Sequence, residues 1–322
     1  MKALQVVQPR TFREVVTPVP LLDDGQILVR FRWAVICGSD VPKIRGSKPE
    51  SAFPLPIGTP CHECVGIVAQ SSSPDFAVGD VVVAVPNNDK GLAEYYVAEA
   101  DAAVRLPEKL ADSEVSLLIQ PLSTVIYGLD RLGDISGRRV LVVGLGPIGI
   151  LATWLLHKRG AGQILGVDPI AWRCLAAENA GAYETFAMAS ENLLHWPGRD
   201  ALREVPDICV EAVGHQTTTL NDCLYLVKRC GTVLALGVPD IAIYPFDFGR
   251  FFRWNLHLIG SVTPPWQEYL KRALTLVLRH QDELGFLITH RFSIHDAEAA
   301  FSMYERPAGH PSLKVMLDGS GW

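Results

Sequence analysis

The fold is decided by Val140-Leu141-Val142-Val143-Gly144-Leu145-Gly146-Pro147-Ile148-Gly149, four apolar residues that run into a glycine-rich turn. Apolar sequence continues to Leu156, near the lower length limit for a membrane span, but three glycines at fingerprint spacing interrupt it. The stretch therefore reads as a strand over Val140–Val143, a turn, and a helix over Ile148–Arg159. In that context GxGxxG has a physical meaning. The first glycine makes the tight turn, the second lets the backbone approach a pyrophosphate, and the third lets helix pack on strand. Free N–H groups and the helix dipole then favour the phosphate charge. Gly144, Gly146, Pro147, Ile148 and Gly149 are the expected cofactor-binding residues.

A second expected strand, Ile164–Val167, ends at Asp168, roughly twenty residues past the last glycine, where a ribose-binding acid belongs. A carboxylate there repels a 2′-phosphate, and Pro169 and Ile170 add no compensating charge, so NAD is favoured over NADP. The plainer reading is an aspartate that only caps the next helix. Arg173 either reaches the adenosine side or is a solvated helical arginine.

Outward from this unit, strands and helices keep alternating. Ala171–Ala180, Thr218–Lys228 and Gln267–Arg279 read as helices; Ile208–Ala212, Thr232–Leu236 and Leu258–Gly260 read as strands. That pattern means a parallel, doubly wound α/β sheet. The first third is instead β-rich and punctuated by Pro and Gly, with strands over Gln26–Val35, His62–Gln70 and Asp80–Val85, which suggests a partly open barrel. The tail returns to β texture around a helix at Asp296–Glu305 and ends in Leu313–Leu317. The expected organisation is a catalytic domain over 1–121, a dinucleotide-binding domain over 122–262, and a segment over 263–322 returning to the first.

The 322 residues carry 29 Lys+Arg against 35 Asp+Glu, a formal charge of −6, which argues against nucleic acid or an anionic membrane as partner. With 48% hydrophobic and 20% charged residues the chain can fill a core and is not a disordered tail. The 7 cysteines are odd in number and unevenly spaced. They read as reduced thiols of a cytoplasmic protein, and the opening Met1–Arg10 has no signal-peptide character.

Cys37-Gly38-Ser39-Asp40 follows one strand, and Cys61-His62-Glu63-Cys64 heads another. Thiolate, imidazole and carboxylate are the usual ligands of a catalytic zinc, although each alone is more often a packing residue. Cys61 and Cys64 form a CxxC; on a regular strand i and i+3 face opposite sides, so they are expected not to converge. Trp154, Trp172, Cys174, Cys209, Cys223 and Cys230 read as packing residues. Phe251–Trp254 and Pro264–Trp266 are candidates for a substrate-pocket wall or a subunit contact.

Cys37–Asp40, His62-Glu63 with Val65-Gly66, Val78–Asp80, Gly144–Gly149, Glu211–Gly214, Gly231–Val233 with Gly237, and Ile288–Phe292 occur in the order found in the zinc-dependent medium-chain dehydrogenase/reductase family. The chain resembles that family over nearly its whole length, particularly the polyol and threonine dehydrogenase branch. The resemblance implies a GroES-like catalytic domain plus a Rossmann domain, and NAD-linked interconversion of a secondary alcohol and its ketone. It implies that Cys37 and His62 ligate zinc, that Glu63 is a third ligand or close partner, and that Ser39 takes the substrate proton. It places Thr124 behind the nicotinamide, Val213 and Arg173 against the cofactor, and Lys314 near the pyrophosphate. Relatives of this kind are usually homodimers or homotetramers.

Three departures stand out. Pro86–Lys90 leads directly to Gly91–Tyr95, so the four-cysteine lobe is missing and no structural zinc is expected. Gln120 occupies the variable third metal position, where a neutral amide is a poor ligand. Pro42 stands where many relatives carry a relay histidine. Two rival readings remain: a zinc-free NAD(P)H reductase of activated alkenes, and a catalytically silent dinucleotide-binding protein.

Overall fold

Strand-forming sequence dominates both ends of the chain and explains the first unit. The strands are β1 (Lys2–Gln8), β2 (Thr11–Val16), β3 (Gln26–Val35), β4 (Glu63–Ser71), β5 (Val81–Ala84), β6 (Tyr95–Glu99) and β7 (Ala103–Arg105), with β14 (Ile288–Ser293) and β15 (Lys314–Asp318) from the C-terminal end. β1 and β2 pair as an antiparallel hairpin. The others form one sheet in the order β14-β15-β3-β4-β5-β7, with β6 also on β3. Val29, Phe31, Ile36, Val68, Tyr96, Phe301 and Val315 fill its core. The computed structural model describes residues 1–45, 52–195 and 205–322. It divides into two compact units, Met1–Ser123 with Pro265–Trp322, and Thr124–Pro264.

Register in the first sheet brings the chemistry together. β3 and β4 run antiparallel with Val35 opposite Glu63, and β15 pairs β3 with Met316 opposite Val35. The chain leaving β3 at Cys37 therefore emerges beside the start of β4 and the start of β15. Ile36 N–H donates to Val315 O at 3.0 Å, extending that pairing to the residue before Cys37.

The second unit is the doubly wound sheet expected from the alternating pattern. Its strands are β8 (Val140–Val143), β9 (Ile164–Val167), β10 (Glu184–Phe186), β11 (Ile208–Glu211), β12 (Thr232–Ala235) and β13 (His257–Gly260). All pair in parallel, in the order β10-β9-β8-β11-β12-β13. Counted within the unit this is 3-2-1-4-5-6, the dinucleotide-binding order, with its switch point between β8 and β11. β8 is buried at every residue, as a central strand covered on both faces must be. The helix Pro147–Lys158 starts with proline at N1, where a missing N–H costs nothing, and buries Ile150, Leu151, Trp154 and Leu155.

Several expectations change. Cys61 and Cys64 do converge, with sulfurs 3.8 Å apart. Cys61 precedes β4 and bridges to Lys90, so strand alternation does not govern it. Cys230 is exposed, held at φ 60° in the turn before β12, and is not a packing residue. Phe251–Trp254 lies at the edge from which β12 and β13 start, since Cys230 N–H donates to Trp254 O. Ligands approach the opposite, carboxyl edge of such sheets, so this segment is not a pocket wall. The helix at Gln267–Arg279 is longer, Trp266–Leu284. Among the described residues no helix is long and apolar enough to cross a membrane.

Candidate metal centre and dinucleotide site

The register of β3, β4 and β15 gathers Cys37, His62 and Glu63 so that one ligand atom from each lies within 4.8 Å of the other two. Among the described residues this is the only such group of three His, Cys, Asp or Glu. Tetrahedral coordination with bonds of 2.0–2.3 Å needs donors about 3.5 Å apart, so small side-chain adjustments suffice. The thiol, imidazole and carboxylate fit a zinc-type ion.

Charged groups surround the cluster. His62 Nδ1 lies 3.2 Å from Asp40 Oδ1 and 3.7 Å from Asp89 Oδ1. The Cys37 thiol is a further neighbour, within 4.8 Å of a ring nitrogen. Burial disfavours the imidazolium, but Asp40 and Cys37 raise the His62 pKa well above its usual value in the metal-free site. Burial likewise opposes the Asp40 charge, yet His62 and Lys43 hold that carboxyl below the ordinary range. Cys37 N–H donates to Asp40 Oδ2 at 3.1 Å and fixes the turn that carries Ser39.

Lys314 corrects the expectation most directly. It is buried inside the first unit, and its ammonium lies 2.5 Å from Glu63 Oε2 and 3.5 Å from Ile36 O. Its charge is thus committed to Glu63, not placed for a pyrophosphate. Burial works against the ammonium, but Glu63 and Cys37 push its pKa upward. Gln120 is buried at the start of the helix Ile119–Asp130, and its carbonyl accepts from Ser123 Oγ at 2.6 Å. The carboxylate in the cluster comes from Glu63. Ser39 is half-buried next to this cluster in sequence. Thr124 lies half-buried in the second unit.

In that second unit the three glycines differ in what constrains them. A Cβ on Gly149 would lie 1.9 Å from Gly144 O, and one on Gly144 would meet Val213 Cγ2 at 2.5 Å. These two are required by packing of the loop and of Val213 against it. A Cβ on Gly146 would meet nothing within 4 Å, so the space over it is open, as a phosphate cradle needs. Asp168 follows β9 directly and accepts from Leu145 N–H and Ile170 N–H, both at 2.9 Å, so it braces the glycine loop as well as the turn after β9. Arg173 Nη1 is 3.5 Å from the same carboxylate. Pro147 is buried and Ile148 half-buried at the helix start.

A cavity of about 600 Å³ in this unit opens at the carboxyl ends of β11, β12 and β13, lined among others by Tyr127, Glu211, Val238, Ser261 and Thr263. Glu211 Oε1 accepts from Val213 N–H, Gly214 N–H and Thr219 Oγ1, which fixes the loop after β11. Tyr127, Ser261 and Thr263 were not legible as lining residues; their only signal was position, one helix turn past Thr124 or just after a strand end.

Comparison with known families agrees with this geometry. Residues 23–108 match the profile described as "Alcohol dehydrogenase GroES-like domain", and residues 147–279 match that described as "Zinc-binding dehydrogenase". The chain belongs to the zinc-dependent medium-chain dehydrogenase family. It is similar to D-arabinitol dehydrogenase 1 of Uromyces fabae, 25% identical over 98% of this chain and 97% of that protein. Sorbitol dehydrogenase of Rattus norvegicus is 25% identical over 93% and 90%. The solved alcohol dehydrogenase of Thermus sp. ATN1 superposes with a TM-score of 0.84 at 24% identity, covering 99% of this chain and all of that one. This zinc-dependent dehydrogenase is accordingly an oxidoreductase of the alcohol and polyol dehydrogenase type.

Proposed function

We propose that this chain is an NAD-dependent dehydrogenase that interconverts a secondary alcohol of polyol, cyclitol or amino-alcohol type with its ketone, using one catalytic zinc and no structural zinc. The convergence of Cys37, His62 and Glu63 carries the reading. Zinc held by these three residues supplies Lewis acidity that lowers the pKa of an alcohol toward neutrality. One thiolate, one carboxylate and the Lys314 ammonium sum to a single negative charge, so a divalent ion keeps about one positive charge for that task.

The chain's own residues do the rest. Ser39 Oγ accepts the proton of the alcohol. Pro42 has no proton to relay, so it takes no part in carrying that proton onward from Ser39. Gly144, Gly146 and Gly149 with Pro147 and Ile148 seat the pyrophosphate on the helix start. Asp168 takes the adenosine ribose and favours NAD, with Arg173 beside it. Thr124 supports the nicotinamide, and Val213 and the cavity at the ends of β11–β13 receive that half of the cofactor.

The proposed assembly is a homodimer or a homotetramer of it. Among the described residues β13 ends the six-stranded sheet with no strand beyond it, and Leu258, Val262, Ile241 and Ile243 are exposed on or after strands β12 and β13. An apolar, uncovered edge of this kind invites pairing with a second copy. The seven free thiols suit a reducing, cytoplasmic setting.

The direct test is turnover of sorbitol, arabinitol, inositol and threonine with NAD and with NADP, followed by absorbance of the reduced cofactor. The reading expects oxidation of at least one secondary alcohol with a preference for NAD. Absence of turnover across the panel alongside tight NADH binding would contradict it.

A further inference from the structure

The short connection between β5 and β6 reaches the metal cluster through one side chain. In its turn, Asn88 and Asp89 both adopt left-handed φ, 56° and 57°, although neither is glycine. Such conformations persist where the surroundings over-determine them. Here Cys61 N–H donates to Asp89 O at 2.8 Å, Gly91 N–H to Cys61 O at 3.1 Å, and Asn87 Nδ2 to Glu99 Oε1 at 2.8 Å. The loop is thereby clamped to the residue immediately before His62.

The Asp89 carboxylate then divides between two partners. Oδ2 is 2.6 Å from Lys43 Nζ, and Oδ1 is 3.7 Å from His62 Nδ1. Lys43 is also 3.6 Å from Asp40 Oδ1, the atom that lies 3.2 Å from His62 Nδ1. Lys43 and His62 therefore approach the same buried oxygen of Asp40, which has no hydrogen-bond partner among the described residues. Asp89 offers Lys43 a closer carboxylate.

We propose that Asp89 is a positioning residue for the metal centre: it draws Lys43 off Asp40, so that Asp40 is left to orient His62. The inference rests on the proposed zinc reading of Cys37, His62 and Glu63. Partners on the far nitrogen of a ligating histidine fix ring orientation and raise its basicity, and losing one typically weakens metal binding 10–100-fold. Removing Asp89 should harm the site because Lys43 turns onto Asp40, and removing Lys43 as well should relieve the harm.

The test is zinc affinity of the full chain, measured by competition with a chromophoric chelator, for the parent, Asp89→Asn and Asp89→Asn with Lys43→Met. Thermal melting of each metal-free protein shows whether the loop is still folded. The expected result is about a tenfold or greater loss of affinity in Asp89→Asn, with metal-free melting close to the parent, and recovery of most of that loss in the double variant. Affinity of Asp89→Asn within twofold of the parent would overturn the proposal and leave the zinc site standing. So would a deeper loss in the double variant. Failure of the parent itself to bind zinc would overturn both.

Discussion

The Lys314 ammonium and the Glu63 carboxylate meet at 2.5 Å with both side chains about 1% exposed. Two strands make this contact unavoidable, because Glu63 opens β4 and Lys314 opens β15 on either side of β3. Breaking a buried pair by removing one partner leaves the other charge without compensation, at about 3–5 kcal/mol. Lys314→Met is expected to lower the stability of the metal-free protein by that order. Zinc supplies a replacement counter-charge, so it should restore more stability to the variant than to the parent. Denaturant unfolding with and without zinc checks both parts; an equal zinc effect on the two proteins would refute the second.

Glycine substitutions separate binding from folding in the second unit. Gly146→Val places its side chain in open space where the pyrophosphate is proposed to lie, so NADH binding should be lost with little change in melting temperature. Gly149→Ala pushes a methyl to 1.9 Å from Gly144 O and should destabilise the fold itself. NADH fluorescence titration and thermal melting on both variants give the comparison. Tight NADH binding by Gly146→Val would remove the proposed cradle.

Acid sensitivity should come in part from Glu305. Its carboxylate lies 2.8 Å from both Arg10 Nε and Arg45 Nε. Burial raises its pKa, but the two arginines outweigh that and hold it below the ordinary 4.5. A depressed carboxylate contributes stability above its unfolded pKa and loses it as pH falls through the folded one. The stability gap between the parent and Glu305→Gln should therefore be full near pH 7 and shrink below about 4.5. A gap that stays constant down to pH 3 would contradict the assignment.

The edge of β13 predicts oligomeric state. Leu258 is 40% and Ile243 84% exposed, and charging both as Leu258→Asp with Ile243→Asp should leave a folded monomer. Light scattering on parent and variant checks this; a variant with unchanged mass would place the subunit contact elsewhere.

Much of this arrangement could be read from local sequence. β3, β8 and β9 begin and end where the pattern predicts: β8 and β9 are short runs without a polar residue, and β3 is a longer β-rich stretch in which Arg30 and Arg32 alternate with buried apolar residues. Short elements such as β10 and the helices Ser190–His195 and Phe248–Arg253 carried too few residues to show a period. The metal cluster was legible as residue types, since Cys37 and His62-Glu63 sit at the ends of expected strands. What surrounds it was not. Lys314 lies 251 positions from Glu63, and only the β3–β15 register makes them neighbours. The Cys61–Cys64 contact is hidden for a related reason: Cys61 lies outside β4, so strand alternation does not set where its side chain points.

The proposed role of Cys37, His62 and Glu63 is to hold one catalytic zinc. It is tested most directly by metal content per chain, measured on the parent and on Cys37→Ser together with NAD-coupled alcohol oxidation. The account predicts about one zinc in the parent, near none in Cys37→Ser, and loss of turnover in step with the metal. Full turnover by a zinc-free Cys37→Ser protein would contradict it.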